Sequence, residues 1–307
     1  MPGSLLTFSV IIPTRDRPGQ LAVCLELLAL QDYPRDGFEV IVVNDGGRLP
    51  LDAAVASARH RIKLTVINQP RSAGPSVARN CGAARATGEF LAFTDDDCAP
   101  ALDWLQKLST HFSSTPDHLV GGRVINVLTD NPYSTASHVI LDMVYDYYDP
   151  QQGRAHFFPT SNFALAAGKF VEIGGFDENW PLAAAEDREF CYRWLRRGFR
   201  MTHASDAKVY HRHPLTLDSF CRLHFRYGRG AYHYHHLRGG GSGSSSLAPD
   251  WAFHWACFRY PFQHSALHRA APIAALLILW QVSNAAGYFW QRFSSHLAAR
   301  YLRDREH

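Results

Sequence analysis

Three carboxylates in a row, Asp95-Asp96-Asp97, follow the apolar run Phe90-Leu91-Ala92-Phe93 and are the residues of this chain best placed to do chemistry. Like charges crowded at the end of a buried strand raise one another's energy unless a cation or hydrogen-bond donors neutralise them. Hard divalent ions bind through one or two carboxylates together with substrate phosphates, so a diphosphate held on a metal is the first chemistry to consider. The other reading is a solvated acidic turn capping a helix that starts near Pro100. Asp187 is the second candidate. It follows Glu186 at the start of a helical pattern in which Phe190, Trp194 and Leu195 form an apolar stripe and Gly198 supplies a stop. The helix dipole and free N–H groups at such a start favour the ionised form, and an ionised carboxylate in a cleft suits a general base acting on a hydroxyl. An ordinary acidic N-cap has the same pattern.

Other residues have weaker individual signals. Asp45 ends a second apolar run, Phe38–Val43, inside the turn signal Asn44-Asp45-Gly46-Gly47. Its carboxylate suits a base N–H or a ribose hydroxyl, or a simple Asx-turn. Arg79 and Asn80 sit on an alanine-rich helical segment, 75–86, whose N-terminus points to the same edge; it suits a phosphate or a surface salt bridge. His211 and His213 follow a strand-like stretch, and either suits a metal site begun by the triplet. With 17 histidines in the chain, a lone one is more often structural. Arg226-Tyr227-Gly228-Arg229-Gly230 reads as a basic, flexible clamp for a diphosphate or as a solvated loop.

The elements that must position these groups alternate. Strand-like runs at 8–12, 38–43, 62–67 and 89–94 are separated by helical patterns opening at Pro18, near Ala53 and at Pro75. Proline is favoured at the first helical position. A helix over 100–112 and a strand near 119–127 follow, while 128–160 reads as irregular and aromatic. This alternation implies right-handed crossovers and a mostly parallel sheet, whose ligands bind beyond the carboxyl ends of the strands. Pro13-Thr14-Arg15, Asn44-Asp45 and the triplet all fall at such ends. No GxGxxG follows a strand and no GxxxxGK[ST] appears, which disfavours a dinucleotide-binding domain and a P-loop.

The 307 residues suffice for one large core, or one core with a small appendage. A hydrophobic share of 46%, a charged share of 19% and a net charge of +3 describe a globular protein and give no global argument for nucleic acid. Basic residues outnumber acidic ones between Arg188 and Arg238, and Arg292, Arg300, Arg303 and Arg305 add to the tail. Such a local surface suits phosphates or anionic head groups. Six cysteines without metal-type spacing read as thiols of a reducing compartment. Phe8–Pro13 is too short for a signal peptide and has no basic region before it, so the cytoplasmic side is expected. Gly239–Ser246 reads as a flexible linker. Beyond it, Ala270–Gln291 is uncharged, flanked by Arg269 and Arg292, and of a length that can cross a bilayer. An interfacial helix or hairpin, a true span and a soluble docking helix all remain open for it. The expected organisation is a main domain over 1–236, a linker over 237–250 and an aromatic, apolar helical segment over 251–307.

The ordered set Val10-Ile11-Ile12-Pro13-Thr14, Val42-Val43-Asn44-Asp45-Gly46, Gly74 to Ala78-Arg79-Asn80, the aspartate triplet, Gly174-Gly175-Phe176-Asp177 and Glu186-Asp187 resembles family 2 glycosyltransferases. The likeness covers roughly residues 8 to 215, and it lies in the order and spacing of short motifs. It implies an α/β GT-A fold and an inverting, Mg²⁺- or Mn²⁺-dependent transfer from a nucleoside-diphosphate sugar, with a UDP-sugar the expected form. The acceptor would be a hydroxyl of a glycan, a lipid-linked molecule or another cell-surface precursor. By the same resemblance Pro13, Thr14 and Arg15 line the nucleoside, Asp45 holds the base and Arg79 lies near the nucleotide. Asp95 or Asp96 stands nearer the ribose, Asp97 or Asp96 on the metal, and His211 adds a further metal contact. Thr160, Ser161, Asn162 and Glu186 border the donor sugar or acceptor, and Asp187 is the catalytic base. Many members have an aromatic residue where Arg15 stands; a guanidinium can also stack on a base. Arg226–Gly230 also resembles a segment of membrane-associated members, so a peripheral or anchored position at a membrane surface is expected. A catalytically silent, membrane-attached module binding nucleotide sugar or lipid is the alternative, disfavoured because a pure binder needs no base. A sugar nucleotidyltransferase is disfavoured by the lack of an early GxGTR-like loop.

Overall fold

A computed structural model describes residues 5–147, 157–180, 183–238, 251–264 and 266–303. The chain forms two compact units. One comprises Met1–Val127, Tyr148–Pro181 and Glu186–Arg212; the other comprises Leu128–Tyr147, Leu182–Ala185 and His213–His307.

The first unit is built on β1 (Phe8–Thr14), α1 (Pro18–Leu28), β2 (Phe38–Asn44), α2 (Asp52–Arg59), β3 (Lys63–Asn68), α3 (Pro75–Ala83), β4 (Phe90–Phe93), β5 (Cys98–Pro100), α4 (Trp104–Ser114) and β6 (Leu119–Asn126). It continues through β7 (Phe163–Ala166), α6 (Ala167–Ile173), α7 (Glu186–Arg196) and β8 (Met201–His211). The strands make one eight-stranded sheet in the order β3-β2-β1-β4-β7-β6-β8-β5. The expectation of a mostly parallel sheet holds for β3-β2-β1-β4, but β7 runs antiparallel to β4 and β6, and β5 antiparallel to β8, so the sheet is mixed. The difference is local. The short strands β5 and β7 carry four residues or fewer and no helical crossover to announce their direction.

Alternation along the strands assigns the two faces of the sheet. Val10, Ile12, Val40, Val42 and Ala92 pack with Leu21, Leu25 and Leu28 of α1, Val55 of α2, and Trp104, Leu108 and Phe112 of α4. Ile41 and Val43 point the other way and pack with Ala78 of α3. On that face Phe93, Phe163, Phe176 and Phe190 form a ring cluster that seats α7, with Phe176 and Phe190 centroids 4.8 Å apart. Aromatic burial of this kind removes the most apolar surface per residue and fixes where α7 begins. At the amino ends of the strands, register brings Glu39 opposite Ser9 and Lys63. Its carboxylate accepts from Ser9 Oγ at 2.8 Å and Thr87 N at 2.7 Å and pairs with Lys63 Nζ at 2.8 Å. The polar cluster locks the sheet at the end away from the triplet.

The second unit contains α5 (Pro132–Tyr147), α8 (Leu217–Arg238), α9 (Trp251–His264) and α10 (Leu267–Arg303). The stretch 128–160, expected to be irregular, is helical over α5, because Asn131 Oδ1 accepts from the N–H groups of Tyr133 and Ser134 and starts the helix just before Pro132. Arg226–Gly230, expected to be a flexible basic loop, lies inside α8. Its glycines serve packing. A Cβ on Gly228 would stand 1.9 Å from the Asn284 carbonyl oxygen, and one on Gly287 1.9 Å from that of Phe225, so α8 and α10 meet backbone to backbone. Arg229 Nε donates to Gln291 Oε1 at 2.8 Å and is held by that helix pair. The linker expected over 237–250 lies outside the described residues from 239 onward.

Candidate active site

The carboxyl ends of β1, β2 and β4 carry the site in the first unit. Asp45 stands one residue past β2, almost fully buried. It accepts from Ser72 Oγ at 2.8 Å, Ala73 N at 2.7 Å and Gly74 N at 3.1 Å. These bonds draw the loop ahead of α3 onto the end of β2. Gly46 permits the approach. Its φ is +64°, and a Cβ there would lie 2.2 Å from Ser72 N. Arg15 is exposed and donates to Ser72 Oγ at 3.0 Å, which links it to Asp45 through one hydroxyl. Pro13 and Thr14 end β1, and Thr14 Oγ1 donates to Asp96 at 2.7 Å.

The triplet splits into three environments. Asp95 accepts from Arg79 Nη2 at 2.9 Å. Asp96 is 3% exposed, and burial, reinforced by Asp97 and Asp95, pushes its carboxyl up to about 6 against the pull of Thr14 and Arg17. Asp97 faces His211, Oδ1 to Nε2 at 3.2 Å. That contact follows from register: β5 opens with Cys98 opposite His211 of β8, and Arg212 N donates to the Asp97 carbonyl at 3.0 Å. Burial opposes charging His211, yet Asp97 and Asp95 outweigh it and raise its pKa. Asp97, Cys98 and His211 bring ligand atoms within 4.8 Å of one another. Burial holds the Cys98 thiol protonated, which leaves the carboxylate and imidazole as the effective donors.

Arg79 is the hub. It is 4% exposed, and its guanidinium donates to Asp95 and, through Nη1, to Glu186 at 3.1 Å. Of the two readings of this residue, surface salt bridge and phosphate ligand, the salt bridge is present, but it is buried and joins the triplet to the first turn of α7. Asp187 stands next to Glu186 and accepts from Arg188 N at 2.8 Å. The sequence expectation that the helix start favours its ionised form is also corrected. Burial first, and the Glu186 charge second, outweigh Arg188 and Arg79 and raise the carboxyl to about 6. A carboxylate of raised pKa is the better proton acceptor near neutrality.

Thr160, Ser161 and Asn162 form a 3-10 turn leading into β7. Thr94 Oγ1 donates to the Ser161 carbonyl at 3.0 Å. Asn162 is fully buried and spends its side chain on the scaffold. It accepts from Trp104 Nε1 at 2.9 Å and donates to the carbonyls of Arg123 and Ala207 at 3.0 and 2.9 Å. Its expected place beside the donor sugar is therefore one its side chain does not fill. Arg17 is the residue that sequence reasoning missed. Its Nη1 lies 3.1 Å from Asp96 Oδ1 and 3.2 Å from Asp97 Oδ2. The only local signal is its position ahead of Pro18, which fixes it at the cap of α1 and near the end of β1.

With this geometry in view, the Glycosyl transferase family 2 profile matches residues 9–175. The chain is 29% identical over 227 residues to the pre-mycofactocin glycosyltransferase of Mycobacterium tuberculosis, a match covering 73% of this chain and 46% of that protein. It is 27% identical over 239 residues to the glycosyltransferase AglE of Haloferax volcanii, covering 75% and 74%. The chain thus spans about half the length of the mycobacterial relative. Among solved structures, the mannosyltransferase PcManGT of Pyrobaculum calidifontis in complex with GDP-Man and Mn²⁺ superposes with a TM-score of 0.63 at 19% identity, over 96% of this chain and 86% of that one. S. aureus TarS 1-349 in complex with UDP-GlcNAc does so with a TM-score of 0.56 at 18% identity, over 95% and 92%. The eight-stranded mixed sheet is thus a GT-A fold, and the chain belongs to glycosyl transferase family 2.

Proposed function

We propose that the protein transfers a sugar from a nucleoside-diphosphate sugar to a hydroxyl acceptor, with inversion and with a divalent metal. The observation that carries this reading is the buried Arg79 bridge, which ties the diphosphate-type carboxylate cluster to the helix bearing a raised-pKa aspartate. Asp187 takes the proton of the acceptor hydroxyl as that oxygen attacks the anomeric carbon. The nucleoside diphosphate departs from the opposite face in the same displacement. Thr14, Arg15 and Asp45 face the nucleoside, Asp95 and Asp96 the ribose, and Ser161 and Glu186 the sugar side. Arg79 acts by holding Asp95 and Glu186 in register.

The donor set around Asp97 fits a small divalent ion such as Mg²⁺ or Mn²⁺, because one carboxylate and one imidazole leave positions for waters and diphosphate oxygens. When bound, the ion neutralises charge that grows on the leaving diphosphate. A UDP-sugar is the favoured donor.

The place of work in this reading is a membrane surface. Ala270–Leu297 is long and apolar enough to cross a membrane, yet one side of α10 is spent on α8. Trp255, Phe258, Phe262, Ile278, Val282, Phe289 and Phe293 remain exposed, and no acidic residue occurs between Trp251 and Arg303. An apolar, acid-free surface with arginines suits an anionic interface. Pelleting with anionic but not neutral vesicles fits this placement, and indifference to both contradicts it.

Product analysis tests the transfer itself. Incubation with nucleoside-diphosphate sugars and Mn²⁺ releases nucleoside diphosphate at a rate that a chelator abolishes. No nucleoside diphosphate from any such donor, with pyrophosphate released instead from a nucleoside triphosphate and a sugar 1-phosphate, refutes the reading.

A further inference from the structure

We infer that Arg17 is the resident counter-cation of Asp96 and Asp97 and that a divalent ion binds by displacing it. The inference rests on the reading above that Asp97 and His211 hold the ion. A single guanidinium nitrogen, Arg17 Nη1, bridges Asp96 Oδ1 at 3.1 Å and Asp97 Oδ2 at 3.2 Å. The side chains of Asp96 and Asp97 are only 4% and 10% exposed, whereas that of Arg17 is 47% exposed. The guanidinium therefore reaches the carboxylates from the solvent side and can leave without unpacking the core.

The turn that aims Arg17 is built for the purpose. Asp16 adopts φ +55°, a left-handed conformation that aspartate tolerates better than most residues with a Cβ. Two bonds hold it there, from Arg48 N at 2.6 Å and Leu49 N at 3.0 Å to Asp16 Oδ1. These bonds fix the turn, and with it the direction of the residue that follows. Here that is Arg17, at the cap of α1, where it has no capping bond to make.

Competition follows from charge. Arg17 holds Asp97 Oδ2, and a dication on the same carboxylate would stand close enough to the guanidinium for like-charge repulsion to oppose both being present. His211 faces the other oxygen of the same carboxylate at 3.2 Å. An ion on Asp97 and His211 therefore weakens the Arg17 pair by charge, and the half-exposed guanidinium moves out to solvent. Arg17 thereby offsets part of the charge of Asp96 and Asp97 without metal and sets how tightly the ion binds.

Calorimetric titration with Mn²⁺ alone tests this in the parent protein, Arg17→Ala and Arg17→Lys. Partly exposed ion pairs are individually weak, so removing both raises Mn²⁺ affinity by roughly tenfold in Arg17→Ala. Arg17→Lys, which keeps the charge, stays close to the parent. The melting temperature without metal falls in Arg17→Ala, and the rise on adding Mn²⁺ is larger than in the parent. Where Arg17→Ala does not fold, Arg17→Gln replaces it with the same expected direction. Equal or weaker Mn²⁺ binding in the alanine variant, with binding intact in the parent, overturns the displacement alone. Absence of Mn²⁺ binding in every variant overturns the assignment of Asp97 and His211 as ligands, and the displacement with it.

Discussion

Asp187→Asn lowers turnover by roughly 10²–10⁴-fold, the usual contribution of a positioned base, and leaves donor binding nearly unchanged. Asparagine keeps the size of the side chain and an oxygen for the Arg188 N–H, so α7 keeps its start. What it loses is the proton acceptor. The pH dependence gives a second signature. Because burial and Glu186 raise the Asp187 carboxyl to about 6, the base is protonated and idle below that value and active above it. Parent kcat/KM therefore rises through pH 6 and levels off toward neutrality, while the residual rate of the asparagine variant is flat over that window. Similar turnover in the two proteins refutes the assignment of the base.

Arg79→Ala removes a buried cation shared by Asp95 and Glu186. Breaking a buried ion pair by deleting one partner typically costs about 3–5 kcal/mol, because the remaining charge is left uncompensated. Asp95 is 30% exposed and keeps part of its hydration, so the variant should lose an amount at the lower end of that range in urea. Its turnover also falls, since the first turn of α7 loses its tie to the triplet. Arg79→Lys preserves the charge but not the planar fork, so it can serve one carboxylate well and not both. It should fall between the parent and the alanine variant in both measurements. A stability loss below about 1 kcal/mol in Arg79→Ala, the size expected of an exposed pair, contradicts the bridge.

Much of the first unit was legible because its strands are short, continuous apolar runs that end in turn residues. Phe8–Thr14, Phe38–Asn44 and Phe90–Phe93 lie where the hydrophobic pattern put them, and proline at the first helical position marked α1 and α3. The antiparallel strands were less readable. Cys98–Pro100 follows three carboxylates and contains a proline, so nothing local announces a strand. It forms because β8 offers an edge, and that pairing is what seats His211 on Asp97. Helix α8 was obscured by Gly228 and Gly230, which lower helix propensity in isolation but allow close contact with neighbouring backbone.

In the site, types and spacing announced the carboxylates but not their neutralisation. Arg79 was visible as a basic residue near the edge, yet its double attachment depends on α7 returning from more than one hundred residues downstream, as the Glu186 contact shows. Arg17 needed the left-handed turn at Asp16 before its direction could be known. The pKa of Asp187 was misjudged for the same reason. The helix start was legible and the burial was not.

The most direct test of a pocket shared by the acidic trio and Asp187 is a crystal structure with Mn²⁺ and a nucleoside diphosphate, read through the anomalous signal of the ion. The predicted result is an ion on Asp97 and His211, a diphosphate bound to that ion, and the Asp187 carboxyl opening on the same cavity. An ion bound elsewhere, or a wall of protein between the diphosphate and Asp187, would contradict it.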